Sequence, residues 1–425
     1  MPKPLPNFRS HLTLALCTIL HGFTHAYGTM LVPLYFRMSD DLKLPGVRKA
    51  SLVVTVYGAV YFLGSYIAGI VADRFDRKLL LSIGLLGNAA AILGIGLSRD
   101  YQTILLLAVA AGLFGTLFHP AANALAPSHY PKAPGMAIGL LGIGSGLGFF
   151  FGPQYAGWRA TTASWQWGNV AQWQKPCVEL GIMGLIVGVI FLFAGADPEI
   201  SQPNRVVRAM DSALKRRVLA VAGVLMFRDF AGFATISLAS IYVTRCFGMS
   251  VQQAGLFVGL MMLPSVLINP LSVYFTPRQR RLPGLSLVLA SSALVVITTP
   301  FWPARFALII LCIFQTMQMA SYAISDASIL ERVSPEFRGR VAGLFLLVAG
   351  TFSALGPWVM ASWTDYLGPR AANQIAYAGP FGLVAVFMLI AAAVPPLIQR
   401  LGPASGMTPI SPAEEISPAT MGSVV

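Results

Sequence analysis

The sequence repeats itself at a fixed spacing of 204 residues. This spacing pairs the dipeptide Gly152-Pro153 with Gly356-Pro357. Further glycines and prolines fall into the same register: Gly28 with Gly232, Pro131 with Pro335, Gly135 with Gly339, Gly139 with Gly343 and Gly146 with Gly350. One register that holds through so much of the chain indicates a duplicated unit, so we expect two similar halves.

Each half contains six apolar stretches long enough to cross a bilayer, which takes about 20 residues in a helix. The chain is 56% hydrophobic and 11% charged, whereas soluble domains have about 25% charged residues. We number the predicted spans helix 1 to helix 12, and they cover 12–36, 50–71, 79–97, 103–126, 136–156, 177–195, 218–243, 252–275, 284–300, 305–328, 339–362 and 375–397. The prediction is an all-α membrane protein of twelve transmembrane helices in two pseudo-twofold-related halves.

These spans divide the chain into two halves, a linker and a tail. Residues 1–196 are predicted to form the N-terminal six-helix half, and residues 218–400 the C-terminal one. A basic cytoplasmic linker at 197–217 joins them. Residues 401–425 are rich in Pro, Ser, Thr and Gly, a composition that predicts a disordered cytoplasmic tail.

Lysine and arginine set the predicted orientation. With the N-terminus inside, 18 of the 29 Lys and Arg residues fall in cytoplasmic segments, which predicts that both termini are cytoplasmic. The net charge of +13 is spread over short loops, and it forms no stripe that would fit nucleic acid. The expected partners are the lipid bilayer and a small solute or ion, without nucleic acid. We expect a monomer in a bacterial inner membrane or a membrane derived from it.

A charged loop follows the second span. It resembles the Gly-x-x-x-Asp-Arg-x-Gly-Arg-Lys loop of the major facilitator superfamily, with Asp76 where glycine is usual. The matching residues are Gly69, Asp73, Arg74, Arg77 and Lys78, and the spacing of 204 brings Arg278 and Arg281 to the equivalent loop of the second half. The resemblance covers about residues 10–400 and implies the twelve-helix fold of that family.

The resemblance also implies a role for this loop in gating. In the family the aspartate, here Asp73, pairs with the start of a helix in the other half and locks the outward-facing state. Helix N-termini attract carboxylates, so the start of helix 11 is a suitable partner. For the second loop, Glu331 or Asp326 is predicted to pair with Arg278 or Arg281. The alternative is that these charges only set the topology.

Helix 5 contains a second motif. Its residues Gly148, Gly152, Pro153 and Gly157 are similar to the Gly-x-x-x-Gly-Pro-x-x-Gly-Gly motif of exporters that run as antiporters. Ala156 is the one departure, and Gly356-Pro357 repeats the motif in the second half. Glycines four residues apart allow helices to approach closely, so a helix-packing role is predicted.

Helix 4 contains Phe118-His119-Pro120-Ala121, which resembles the fosmidomycin-resistance group of drug/proton antiporters. That group usually has an acidic residue where His25 stands. The basic residue usual in helix 4 of such antiporters is also missing. The helix 5 motif favours proton-coupled efflux, and because of these two departures uptake stays open as the alternative.

Ionisable residues at bilayer depth usually face a cavity or a partner. His21 and His25 lie four residues apart and share one helix face. The spacing of 204 matches His25 to Asp229 and Thr24 to Arg228. Because histidine titrates near neutral pH, a His25–Asp229 pair is predicted to couple protons, with Arg228 attracting an anionic substrate group. The alternative is a structural polar cluster.

His119 adds a third imidazole in helix 4, and Asn123 lies one turn further on the same face. Together with His21 and His25, His119 is a candidate ligand for a first-row transition metal. The alternative is that His119 compensates the kink at Pro120. No resident cofactor is predicted.

Helix 10 presents Gln315, Gln318 and Tyr322 on one face. We expect a central cavity of helices 1, 4, 7 and 10, in which these three side chains hydrogen-bond the substrate. The other residues predicted to line this cavity are His21, Thr24, His119, Asn123 and Arg228. The sequence has no Walker loop, catalytic triad or dinucleotide fingerprint, so an enzyme is not expected.

The predicted function is secondary active transport of a small solute by alternating access, in the form of proton-coupled antiport that exports the solute. Proton-linked uptake of a solute or of a metal ion such as iron is the alternative. A non-transporting membrane scaffold or sensor is a third hypothesis, and it would require an empty, apolar cavity.

Overall fold

A computed structural model describes residues 7–72, 74–162, 165–166, 168–197, 210–334 and 337–402. These residues form helices and, within the described ranges, no strand. The long helices of the first half are α1 Phe8–Thr29, α2 Val47–Ala72, α3 Arg77–Leu97, α4 Tyr101–His129, α5 Pro134–Arg159 and α6 Gln172–Ala194. Those of the second half are α7 Ser212–Phe247, α8 Val251–Phe275, α9 Arg278–Phe301, α10 Ala304–Leu330, α11 Arg338–Ala372 and α12 Gln374–Gln399.

Eleven of these helices, α2 to α12, are long and apolar enough to cross a membrane, counted over the described residues. The remaining helix, α1, has 22 residues and includes three histidines and four threonines. It packs inside the bundle against α5 and α6, where polar side chains find partners. The all-α membrane fold is thus confirmed, and the helix pattern agrees with twelve spans.

Prolines interrupt three of the long helices. Pro120 follows a break in α4 between Gly115 and Phe118, and Pro357 follows a break in α11 after Ser353. In α8, Pro264 lies in the gap between Met262 and Ser265. A proline ring clashes with the carbonyl four residues earlier and removes a backbone donor, which explains each break.

The two halves use the same packing scheme. In the first half α1 packs on α5, and α3 packs on α4 and α6; in the second half α7 packs on α11, and α9 packs on α10 and α12. Between the halves, α2 packs on α11 and α5 packs on α8. The sequence repeat matches α2 to α8 and α5 to α11, so it converts each of these two contacts into the other. This is expected for halves related by a pseudo-twofold axis.

The face of the bundle opposite the chain termini, called here the far face, is closed by matching contacts between the halves. Asp365, in α11, accepts hydrogen bonds from the backbone N–H groups of Val47 at 3.2 Å and Arg48 at 2.9 Å, at the start of α2. Subtracting 204 from 365 gives Thr161, whose hydroxyl donates to Gln252 at the start of α8 at 3.3 Å. Equivalent positions therefore join each pair of helices.

One predicted boundary differs from the structure, and two predicted segments extend beyond the described residues. The helix expected to start at 218 begins at Ser212, because the basic stretch before it continues the same helix. The predicted linker at 197–217 includes 198–209, and the predicted disordered tail at 401–425 includes 403–425; both ranges lie outside the described residues.

Candidate functional site

A small cavity lies between the two halves. It measures about 60 Å³, whereas sites for drug-sized ligands are about 300–1,000 Å³. Its lining comes from α1, α2, α4, α5, α7 and α11: Thr24, His25, Gly28, Thr29, Val54, Tyr57, Gly58, Tyr61, Phe62, His119, Phe149, Phe233, Ala354 and Pro357. The two halves must therefore separate before a drug-sized solute can enter.

This lining differs from the predicted one. Among the described residues α10 contributes nothing to it, whereas α2, α5 and α11 do. The aromatic side chains Tyr57, Tyr61 and Phe149 were missed because aromatic residues in an apolar helix are indistinguishable from core. The sequence did contain a signal. Tyr57 and Tyr61 lie one turn apart on one face of the helix, which places two phenol groups side by side in a membrane span.

Three imidazoles meet at the cavity wall. The Nδ1 atom of His21 lies 2.6 Å from the carbonyl oxygen of Leu141, in α5. The Nε2 atoms of His21 and His25 are 3.0 Å apart. The His119 ring centroid lies 5.0 Å from that of His21 and 5.7 Å from that of His25. One ring nitrogen from each side chain falls within 4.8 Å of the others, so the predicted convergence of the three histidines is present.

The predicted His25–Asp229 pair is not formed in this conformation. Asp229 instead accepts a hydrogen bond from Nε of Arg228 at 2.7 Å, and Nη2 of Arg228 is equally close. His25 is hydrogen-bonded to His21. The physical reason is reach, since the long arginine side chain folds back onto the neighbouring carboxylate. Arg228 is fully buried and Asp229 is 5% exposed.

The polar face of α10 holds this ion pair. Nη1 of Arg228 donates to the hydroxyl of Ser325 at 2.7 Å. The Arg228 guanidinium lies 3.8 Å from the centre of the Tyr322 ring, and the Gln318 amide donates to the Arg228 carbonyl at 3.1 Å. Gln318 and Tyr322 therefore position Arg228 in this conformation, although both were predicted to contact the substrate.

Three further predicted cavity residues have different surroundings. Thr24 lines the cavity, and its hydroxyl donates to the Leu20 carbonyl at 3.0 Å. Gln315 is buried, and its side-chain amide has no hydrogen-bond partner among the described residues. Asn123 is exposed and is not among the cavity-lining residues of the described chain.

In the loop between α2 and α3, the predicted lock residue Asp73 lies outside the described residues. Asp76 caps α3 by accepting the N–H of Leu79 at 2.7 Å, which explains how an aspartate serves where glycine is usual. The backbone N–H of Arg77 donates to Asp197 at 3.3 Å. The other motif residues are Gly69, which has open space beside it in the described chain, Arg74, which is exposed, and Lys78, which is half-buried.

In the equivalent loop of the second half, Arg281 forms an ion pair with Glu331. Arg278 lies 3.3 Å from the same carboxylate. Glu331 is thus the partner of both arginines, and Asp326 lies instead near Arg228. Both arginines and Glu331 belong to the second half, so this pairing does not lock the halves together.

The motif of α5 contacts two different neighbours. A Cβ atom on Gly148 would overlap the carbonyl oxygen of Gly22, and one on Gly152 would lie 2.8 Å from Cα of Ala26, so both glycines admit α1. Gly157 faces the other half, where a Cβ would lie 2.7 Å from the carbonyl oxygen of Val251.

The second-half copy of the motif packs within its own half. A Cβ on Gly356 would lie 2.7 Å from the backbone nitrogen of Ala234, in α7. Pro153 stays inside α5 without breaking it, whereas Pro357 follows a break in α11 and lines the cavity.

Comparison with known proteins agrees with this architecture. A sequence model of the Major Facilitator Superfamily matches residues 14–236 and 221–419. Multidrug resistance protein 1 of Bacillus subtilis (strain 168) is 20% identical over 77% of this chain and 83% of its own length. Multidrug resistance protein MdtG of Dickeya zeae (strain Ech586) is 34% identical over 33% of this chain and 35% of its own length.

Solved structures show the same fold. A bacterial homologue of the human lysosomal transporter Spinster, in an inward-facing and unoccupied conformation, superposes with a TM-score of 0.77 at 19% identity. The superposition covers 93% of this chain and 98% of that one. Since the family model matches nearly all of both six-helix halves, the chain belongs to the major facilitator superfamily.

Proposed function

We propose that this multi-pass membrane transporter exports a small organic solute in exchange for protons, by alternating access. The relatives named as multidrug resistance proteins support export, and the resemblance of α4 and α5 to drug/proton antiporters supports exchange. The proposed location is a bacterial inner membrane or one derived from it, with both termini cytoplasmic and the protein a monomer.

The observation that carries the coupling proposal is the buried ion pair of Arg228 and Asp229. Charged groups at bilayer depth are costly and tend to be retained for function. The charged or titratable groups that face Asp229 are Arg228 on α7 and Tyr322 and Asp326 on α10. Protonation of Asp229 would remove the carboxylate that pairs directly with the guanidinium, so the site would gain one positive charge that can attract an anionic group of the solute.

Exchange follows if proton and solute compete for the site. A ligand shifts a conformational equilibrium only by its different affinities for the two states. Deprotonated Asp229 neutralises Arg228, while a bound anionic solute group would do so in its place. The role of His25 in proton transfer stays a prediction, and the experiment below tests it separately.

The coupling experiment uses proteoliposomes that contain a pH-sensitive dye and the purified protein. Addition of an exported solute, from a panel of amphipathic drugs and phosphonate-type anions, is expected to move protons in the opposite direction. Asp229→Asn is expected to lower this proton movement at least about tenfold while still binding solute, because the neutral amide cannot exchange a proton. The matched control is Asp211→Asn at the start of α7, outside the bundle core.

Two results would contradict the proposal. Solute flux without any proton movement would leave a facilitator. Proton exchange that survives in Asp229→Asn but is lost in His25→Ala would move the coupling group from the second half to the first.

Alternating access also leads to a prediction about Asp365, which joins α11 to α2 at the far face. Asp365→Ala removes a charged acceptor in α11, and with it two hydrogen bonds from backbone N–H groups at the start of α2, each worth about 1.5–3 kcal/mol. We expect the variant to favour the conformation open at the far face. The measurement is the rate at which a membrane-impermeant maleimide labels a single cysteine at Val54, which lines the cavity, after replacement of the four native cysteines.

The control for this prediction is Asp100→Ala. Asp100 also caps a helix at the far face, by accepting the N–H of Thr103 at 2.7 Å, but donor and acceptor belong to the same half. Labelling is expected to speed up at least about fivefold in Asp365→Ala, the effect of about 1 kcal/mol, and to stay unchanged in Asp100→Ala. Equal labelling in both variants would show that Asp365 does not hold the far face closed.

The convergence of three histidines at the cavity favours a second candidate function, transport of a metal ion. Uptake of such an ion would use the same alternating access. It requires that the histidines bind metal, which is a separate question about this chain.

A further inference from the structure

We propose that His21, His25 and His119 form a binding site for a late first-row divalent transition metal, open to the cavity. The site lies in the first half, away from the Arg228–Asp229 pair. It goes beyond the proposed export of an organic solute, since metal binding is required neither for proton exchange nor for that export. Failure of either proposal would therefore leave the other standing.

The first argument is the protonation pattern of His21. Its Nδ1 atom lies 2.6 Å from a carbonyl oxygen, which only accepts hydrogen bonds. Nδ1 must therefore carry the proton, and the Nε2 atom of a neutral His21 presents its lone pair to the other two rings. A histidine that ligates metal is commonly held in this way, with its other nitrogen donating to a backbone carbonyl.

The second argument is geometry. Metal–nitrogen bonds of about 2.0–2.1 Å in a tetrahedral site place the ligand nitrogens roughly 3.3 Å apart. The Nε2 atoms of His21 and His25 are 3.0 Å apart, and the complete set of three nitrogens lies within 4.8 Å. In the metal-free site His25 must donate its Nε2 proton to Nε2 of His21. Once that proton moves to Nδ1 of His25, small rotations of the rings would bring three nitrogen lone pairs to one ion.

The third argument concerns access and the fourth ligand position. His25 and His119 line the cavity, so an ion has a route to the site when the halves separate. Three protein ligands leave one tetrahedral position for water or an exchangeable ligand. A site of this kind suits a bound ion that must also leave.

The ligand chemistry selects the class of metal. Neutral imidazoles suit Zn²⁺, Co²⁺, Ni²⁺ and Cu²⁺, whereas Mg²⁺ and Ca²⁺ prefer oxygen ligands. The described cluster holds three histidines and no carboxylate. Zn²⁺ and Co²⁺ are therefore the probes of choice, and Mg²⁺ is the expected non-binder.

The alternative is a structural cluster that supports the break in α4. The His21 ring also stacks on Phe118, with centroids 4.8 Å apart, which is compatible with packing alone. The two hypotheses differ in one respect. A structural cluster binds no Zn²⁺, whereas a metal site binds one ion per chain and loses it when any of the three rings is removed.

The test is Zn²⁺ titration calorimetry on the full chain, purified in detergent without a polyhistidine tag. We expect one Zn²⁺ per chain, and an affinity at least about tenfold lower in His21→Ala, His25→Ala and His119→Ala, since each removes a ligand. The absorption bands of bound Co²⁺ provide a second readout, because their intensity reports tetrahedral coordination.

The matched control is His11→Ala. His11 belongs to the same helix α1, but its ring hydrogen-bonds Tyr130 outside the cluster. Because an alanine in a buried cluster can disturb folding, His119→Gln provides a second variant, and each protein is compared by thermal unfolding without metal. Absence of stoichiometric Zn²⁺ binding, or binding that folded cluster variants retain at full strength, would overturn the proposal.

Discussion

In the Arg228→Ala variant we expect the free energy of unfolding to fall by about 3–5 kcal/mol, the cost of removing one partner of a buried ion pair. Arg228 is fully buried, and its guanidinium lies 2.7 Å from the Asp229 carboxylate. The substitution would also leave the Ser325 hydroxyl without its arginine donor. The measurement is thermal unfolding of the detergent-solubilised protein, followed by the change in helical signal.

A double variant separates the loss of charge balance from the loss of packing. Arg228→Leu combined with Asp229→Leu removes both charges, and buried pairs replaced by apolar residues are often about as stable as the original. We expect it to recover most of the stability lost in Arg228→Ala, while proton exchange stays absent. The matched single control is Arg217→Ala, an exposed arginine near the start of the same helix. The electrostatic explanation fails if the double variant is no more stable than Arg228→Ala.

The second large effect is expected for Gly148→Ala, in α5. The new methyl group would overlap the carbonyl oxygen of Gly22 and lie 3.0 Å from Cβ of His25. Because a backbone carbonyl cannot rotate away, α1 and α5 must move apart. Overpacking of this kind costs typically about 1–3 kcal/mol. The displacement of His25 should also weaken Zn²⁺ binding at the three-histidine cluster.

Gly142→Ala is the control for this prediction. Gly142 lies in the same helix, and a Cβ there meets no atom of the described chain within 4 Å. Alanine is a better helix former than glycine by about 1 kcal/mol, so Gly142→Ala is expected to be neutral or slightly stabilising. Thermal unfolding of the two variants side by side is the measurement. Similar stability of both variants would show that α1 and α5 are not held at the distance that the structure shows.

The proposed export and coupling would require a conformational change, and these contacts indicate which helices would move. The cavity of about 60 Å³ and the hydrogen bonds of Asp365 at the far face describe a state closed to large solutes. Separation of α2 from α11, and of α5 from α8, is the motion that would open it. Gly157 is part of the contact between α5 and α8. The motif of α5 therefore contributes both to packing within the first half and to the contact between the halves.

The sequence by itself determined where the spans lie and which span of one half corresponds to which span of the other. Apolar length marks a spanning helix whatever surrounds it, and a duplicated chain carries its register in the sequence. Prolines are only a partial guide, since Pro120, Pro264 and Pro357 accompany breaks in their helices whereas Pro153 lies inside a continuous α5. The close glycine contacts of α5 follow from the same kind of local information, because only glycine permits backbones to approach so closely.

The tertiary structure alone decided which side chains meet. From the sequence, His25 and Asp229 were equivalent positions expected to pair, yet Asp229 binds Arg228 and His25 binds His21. Adjacent helix positions point about 100° apart, so the partner of each depends on how each helix is rotated and on how far a flexible side chain reaches. Neither quantity leaves a periodic signal in the sequence, and both are set only when the twelve helices pack together.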